Sequence, residues 1–247
     1  MDYAGWGLGL LVVGLTTLGL ARLARIELGW LPLTALLRAV VQLAVVAAIL
    51  RGVLALPWTV VLFIVLMLTT ATTTAGSRLS ELPRGRSLAL VGVLSGATVS
   101  LVLVLALRLV DLEARYVVAV AGIVIGNAMS AATLSGRNFL RGARARRDEV
   151  EAWLSLGATP AQAYDAIGRD AAREALLPTL DQTRSTGLVT LPGAFVGALF
   201  GGASPIVAAQ FQLVVLAAIA LAMLTCAVVV TRLAGRSPHV VAEAAPA

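Results

Sequence analysis

The chain is 247 residues long, 59% hydrophobic and 13% charged, with a formal net charge of +6 in which every basic residue is arginine. A mean hydropathy of +0.94 excludes a water-soluble globular domain, because such a chain would leave too much apolar surface in water; its natural solvent is a bilayer. One cysteine, Cys226, and one histidine, His239, exclude an internal disulfide and argue against zinc, iron–sulfur or histidine-based catalytic sites.

Seven apolar segments follow one another, most of them near the roughly 20 residues that cross a hydrocarbon core. They lie at about 4–21, 30–50, 57–75, 88–107, 116–134, 186–202 and 206–231. Backbone polar groups in lipid must bond internally, so each segment is predicted helical, and the fold class is an all-α integral membrane protein. No basic region precedes the first segment, only Asp2, so it reads as a retained helix. The second segment contains Pro32, Arg38 and Gln42. The third ends in the run Thr69-Thr70-Ala71-Thr72-Thr73-Thr74, whose hydroxyls are expected to bond back to their own helix. The sixth is short, rich in glycine and broken by Pro192. The whole chain, 1–247, reads as a single polytopic membrane domain, with a small, polar, disordered tail over about 236–247.

Arginine placement orients the segments. With the N-terminus outside, fifteen of the nineteen arginines fall on the cytoplasmic side and three outside, with Arg38 inside a helix. This positive-inside bias predicts N-out and C-in. It also places the longest polar stretch, about 138–184, in the cytoplasm.

That stretch carries specific local chemistry. Asp148, Glu149 and Glu151 sit in the first turn of a predicted helix, where the dipole favours acids. Val150, Trp153, Leu154 and Gly157 share one face. Gly157 supplies a left-handed stop. Thr159 then caps a second helix, Pro160 takes its first position, and Gln162 completes a Thr-x-x-Gln capping box. That second helix is expected to run to about Leu177 and stop at Pro178. The result is a stiff corner at Gly157-Ala158-Thr159-Pro160, suited to passing on a force. The pattern resembles the "EAA" loop of ABC importer permeases, in which a short cytoplasmic helix fits a cleft on the ATPase.

Four motifs together carry a closer resemblance: Arg38-Ala39-Val40-Val41-Gln42-Leu43, Gly126-Asn127-Ala128-Met129, Leu154-Ser155-Leu156-Gly157-Ala158-Thr159-Pro160 and Gly187-Leu188-Val189-Thr190-Leu191-Pro192-Gly193. In this order they resemble the FetB-like family of bacterial iron-export ABC permeases (UPF0014), to which plant aluminium-tolerance permeases are similar. The likeness spans roughly Arg38 to Gln212. It implies a seven-helix, homodimeric permease of the bacterial cell membrane. A separate ATPase subunit binding ATP and Mg would drive it, docking on Glu149, Glu151, Trp153, Leu154, Gly157, Ala158, Thr159 and Pro160. The sequence departs from the family pattern at Phe195, where a methionine is usual, and at Ala198, a position often polar.

Intramembrane polar residues need a reason, since a mid-bilayer charge costs about 2.5–3.5 kcal/mol on insertion scales. Arg38 and Gln42 share a helical face. They lie on a candidate path, lock two helices, or, for Arg38, reach to headgroups. Asn127 and Met129 offer a carbonyl oxygen and a thioether to a passing metal ion; interhelical hydrogen bonding and packing are the alternatives. Asp181 stands at the expected cytoplasmic mouth, gating, pairing with Arg184 or simply exposed. Pro192 frees carbonyls towards a possible cavity, and Gln212 is placed on the same candidate path. Gly193, Gly197 and Gly201 form a small-xxx-small ridge for close packing, as at a dimer seam, or a hinge.

No Walker-type phosphate loop is present, so ATP hydrolysis is expected on another chain and no cofactor on this one. Nothing points to nucleic acid; the arginines at 144–147 flank a membrane segment. The leading reading is an ABC permease exporting iron or another metal ion. The alternatives are a permease for an organic solute or nucleotide sugar, and a non-transporting membrane scaffold. A secondary transporter would call for inverted repeats and intramembrane acids, and neither is found.

Overall fold

The structure is a computed structural model that describes residues 3–53 and 56–237. The expected disordered tail, with His239, thus lies almost wholly outside the described residues. The chain divides into two compact units, Met1–Thr59 and Val60–Ala247.

The first unit is a helical hairpin, α1 (Tyr3–Leu23) and α2 (Leu31–Val53). Gly14 of α1 meets Leu33 and Leu36 of α2, and the Arg22 guanidinium lies 5.1 Å above the Trp30 ring. The most apolar stretch of α2, Leu31–Leu50, has no buried residue; Leu33 and Leu36 turn towards α1.

The second unit contains α3 (Pro57–Arg78, whose first turn belongs to the first unit), α4 (Gly85–Ala106), α5 (Ala114–Ala145), α6 (Arg147–Ser155), α7 (Pro160–Ala163), α8 (Asp165–Ser185), α9 (Gly193–Phe200) and α10 (Pro205–Gly235). Its core is the antiparallel pair α4 and α10. Small residues let their backbones approach: a methyl group on Gly92 would overlap Val230, and one on Gly96 would lie 2.5 Å from the Ala222 carbonyl oxygen. Ser100 Oγ donates to the Ala218 carbonyl at 2.8 Å. In lipid there is no hydrophobic drive between helices, so such close packing and interhelical bonding supply the cohesion. This ridge, Gly92, Gly96 and Ser100, was not picked out by sequence reasoning, although its four-residue spacing is visible there.

Three expectations change. First, six helices among the described residues are long and apolar enough to cross a membrane, not seven. The sixth expected segment is an irregular stretch followed by an eight-residue helix, α9. Gly187 takes a left-handed φ of 92°, and Thr186 and Thr190 pair across the turn. Pro192 is the N-cap of α9, not a mid-helix break. Second, α5 does not stop near Leu134. It continues to Ala145, 32 residues in all, about 48 Å at 1.5 Å per residue. Lipid-crossing length and helix length differ because Phe139, Leu140 and Ala143 are buried on this extension, packed against protein. Third, the helix after the corner is two pieces, α7 and α8, and α8 runs through Pro178.

Candidate functional site

The polar stretch forms a folded appendage, not a loop. The acids Asp148 and Glu149 lie in the first turn of α6. Glu151 receives Arg147 at 2.7 Å, one turn earlier. Gly157 stops the helix at φ 87°. Thr159 and Gln162 make the reciprocal capping box around Pro160, with the Thr159 N–H donating to Gln162 Oε1 at 2.8 Å. The corner thus forms as its residues dictate.

The appendage is bolted to the membrane core by aromatic packing. Phe139 of α5 is fully buried and meets Tyr164, between α7 and α8, with ring centroids 5.6 Å apart. Gly168 of α8 and Gly235 of α10 both approach the same Phe139 ring. Burial pushes the Tyr164 hydroxyl above its ordinary range. Arg146 and Asp170 join the α5 end to α8 at 2.6 Å, and Arg144 reaches Glu81 in the α3–α4 turn at 2.9 Å. These ion pairs are exposed, so each contributes little alone.

The outer face of α6 is unfilled. Val150 points inward and is buried, whereas Trp153, Leu154 and Leu156 are 49%, 36% and 83% exposed. Trp153 and Leu156 flank a shallow cleft of about 640 Å³, whose other wall includes Ala161 and Gln162. The expected shared face of α6 therefore splits: one residue anchors the helix, and the others face outward.

The remaining candidates are scattered. Arg38 and Gln42 are exposed on α2. Asn127 donates from Nδ2 to the Ile123 carbonyl of its own helix at 2.8 Å. Met129 packs partly buried against the core. The hydroxyls of Thr69, Thr70, Thr72 and Thr73 bond back within α3, as expected. Asp181 pairs loosely with Arg184 at 3.6 Å. Gln212 is buried, and its Oε1 accepts the Phe195 N–H at 3.1 Å. It therefore caps the first turn of α9 from across the hairpin, a role that Pro192 has no side-chain oxygen to fill. Gly193 and Gly197 meet nothing within 4 Å, and Gly201 only its own helix, so that ridge is not used for packing inside the described chain. Among the described residues, no three histidine, cysteine, aspartate or glutamate side chains gather to hold a metal ion.

Residues 6–238 match the model of the uncharacterised protein family UPF0014. The chain belongs to this family. Among UPF0014 relatives, the chain is 38% identical to the UPF0014 membrane protein STAR2 of rice over 74% of this chain. It is 35% identical to the Arabidopsis protein ALUMINUM SENSITIVE 3 over 64% of this chain. The matches span 65% and 58% of those two plant proteins' own lengths. It is 31% identical to the probable iron export permease protein FetB of Escherichia coli, over 72% of this chain and 70% of that one. No solved structure matches the chain. UPF0014 membership and six long apolar helices among the described residues make it a multi-pass membrane protein.

Proposed function

We propose that this chain is the membrane-spanning permease subunit of an ABC transporter in the cell membrane. Two copies form the path, and a separate ATPase, which binds ATP and Mg, docks on the α6–α7 corner. The observation that carries this reading is the exposed Trp153–Leu154–Leu156 surface, set beside a capped, rigid corner on the polar part of the chain. An apolar patch with a large aromatic anchor and nothing on it marks a partner site.

Coupling follows from the packing. When the ATPase closes, α6 is displaced. The Phe139–Tyr164 contact and the close approach of Gly168 and Gly235 pass that motion to α5, α8 and α10. Through Gln212, α10 moves the first turn of α9. In a two-copy assembly, the open edge of Gly193 and Gly197 and the bare α2 face with Arg38 and Gln42 meet the second copy or line the path. The cargo is a metal ion, with iron first, a reading supported by the name of the FetB relative.

Two experiments test this. Co-purification with the cognate ATPase should survive Glu113→Gln, a change far from the corner. It should be lost, with transport-coupled ATP turnover, in Trp153→Ala/Leu156→Ser and in Gly157→Pro. Normal assembly and turnover in both corner variants would remove the docking assignment. For cargo, a strain lacking the gene should accumulate iron under iron load, and unchanged iron content would reject iron export.

A further inference from the structure

Helices α8 and α10 pack antiparallel: Tyr164 approaches Gly235, and Gly168 approaches Thr231. Between them lies an open cleft of about 930 Å³. Its lining is sorted along its length. At one end, Arg169 of α8 stands near the level of Arg232 of α10, with Arg236 a turn beyond it and Arg173 a turn deeper along the cleft. Further along, towards the middle of α10, the walls are Leu177, Leu180, Leu224 and Val228, with Arg184 a turn beyond Leu180 at the far end. Two of the cleft's arginines are neutralised: Arg169 by Asp165 at 2.7 Å and Arg184 by Asp181 at 3.6 Å. Among the described residues, no carboxylate pairs with Arg173, Arg232 or Arg236.

We propose that this cleft is a binding site for one anionic phospholipid of the surrounding leaflet, its headgroup phosphate held by Arg173, Arg232 and Arg236 and its acyl chain laid against Leu177, Leu180, Leu224 and Val228. Three guanidiniums that no described carboxylate pairs form a phosphate-binding end, since planar guanidinium forks match phosphate oxygens. A free phosphate shares that chemistry, but it leaves the leucine-lined half of the cleft empty. A phospholipid fills both halves. The basic end sits where the last turn of the apolar α10 carries Arg232, the depth at which lipid phosphates lie. The site also touches Tyr164 and Gly168, which join the appendage to the core, so its lipid braces that junction.

The test uses the full chain, delipidated in mild detergent, with phosphatidylglycerol and phosphatidylcholine as probes and retained lipid counted by native mass spectrometry. Wild type should keep one phosphatidylglycerol in preference to phosphatidylcholine by about tenfold or more. Arg173→Gln/Arg232→Gln/Arg236→Gln should lose that preference. A charge control of the same size at arginines outside the cleft, Arg78→Gln/Arg86→Gln/Arg141→Gln, should keep it. Equal preference in site and control variants overturns the proposal. A wild-type arm stands even if a variant misfolds: millimolar inorganic phosphate should not displace the phosphatidylglycerol. Displacement would make the cleft a soluble-anion site and also overturn the proposal.

Discussion

Gln212 shows how a polar residue inside a membrane protein can act as structure. Its carboxamide is buried and accepts the Phe195 N–H at 3.1 Å. Gln212→Leu strands that donor, at a cost of about 1–3 kcal/mol. The expected outcome is a lower melting temperature in detergent and faster proteolysis between Gly187 and Gly201, with the protein still folded. The sequence marked Gln212 as polar in lipid and could say no more, because its partner lies 17 residues away on a separate helix. The glycines teach the converse. Gly193, Gly197 and Gly201 have the spacing of a packing ridge, yet Gly92 and Gly96 make the contact. Gly96→Ala drives a methyl against the Ala222 carbonyl and should destabilise by about 1–3 kcal/mol, as overpacking does. Gly197→Ala meets nothing and should leave the melting temperature of the isolated chain unchanged. Spacing identifies a ridge that permits close approach; only the fold decides whether a helix arrives there.

At the scale of elements, the corner was legible and the helix lengths were not. Gly157, Thr159, Pro160 and Gln162 act on neighbours within a few residues, so their effect is written locally. The ends of α5 and α8 are set by distant partners. Arg137, Arg141 and Arg144 signal the end of the lipid-crossing part of α5, while burial of Phe139 and Ala143 carries the helix on. Pro178 removes one backbone bond to residue 174, but Glu174 and Pro178 both lie on the exposed side of α8, where the freed carbonyl meets solvent or headgroups. The Phe139–Tyr164 junction gives a pH test. Burial disfavours the phenolate, so the folded pKa of Tyr164 lies above its ordinary 10.0. The stability due to keeping it neutral is complete below that ordinary value and is lost as pH rises through the raised one. Thermal melts of the full chain between about pH 8 and 11 should fall more steeply at the alkaline end for wild type than for Tyr164→Phe. Parallel profiles would mean that Tyr164 does not carry the alkaline loss.

For the second unit as a whole, orientation decides whether the functional reading can hold at all. The α3–α4 turn and the α6–α7 corner lie on one side, since Glu81 of that turn is held by Arg144 of the α5 extension. The α4–α5 loop lies at the opposite end of α4 and α5. The positive-inside expectation is that the first side is cytoplasmic, the side where ATP is available to the proposed ATPase. The single cysteine makes this measurable: Cys226 is wholly buried and can be replaced by alanine to give a silent background. In that background, Leu112→Cys places an exposed thiol in the α4–α5 loop and Ser80→Cys places one in the α3–α4 turn. A membrane-impermeant maleimide should label Leu112→Cys on intact cells and Ser80→Cys only after permeabilisation. The reverse pattern would put Trp153 and the capped corner outside the cell, beyond any ATPase that uses cytoplasmic ATP, and the proposed coupling would fail with its packing intact.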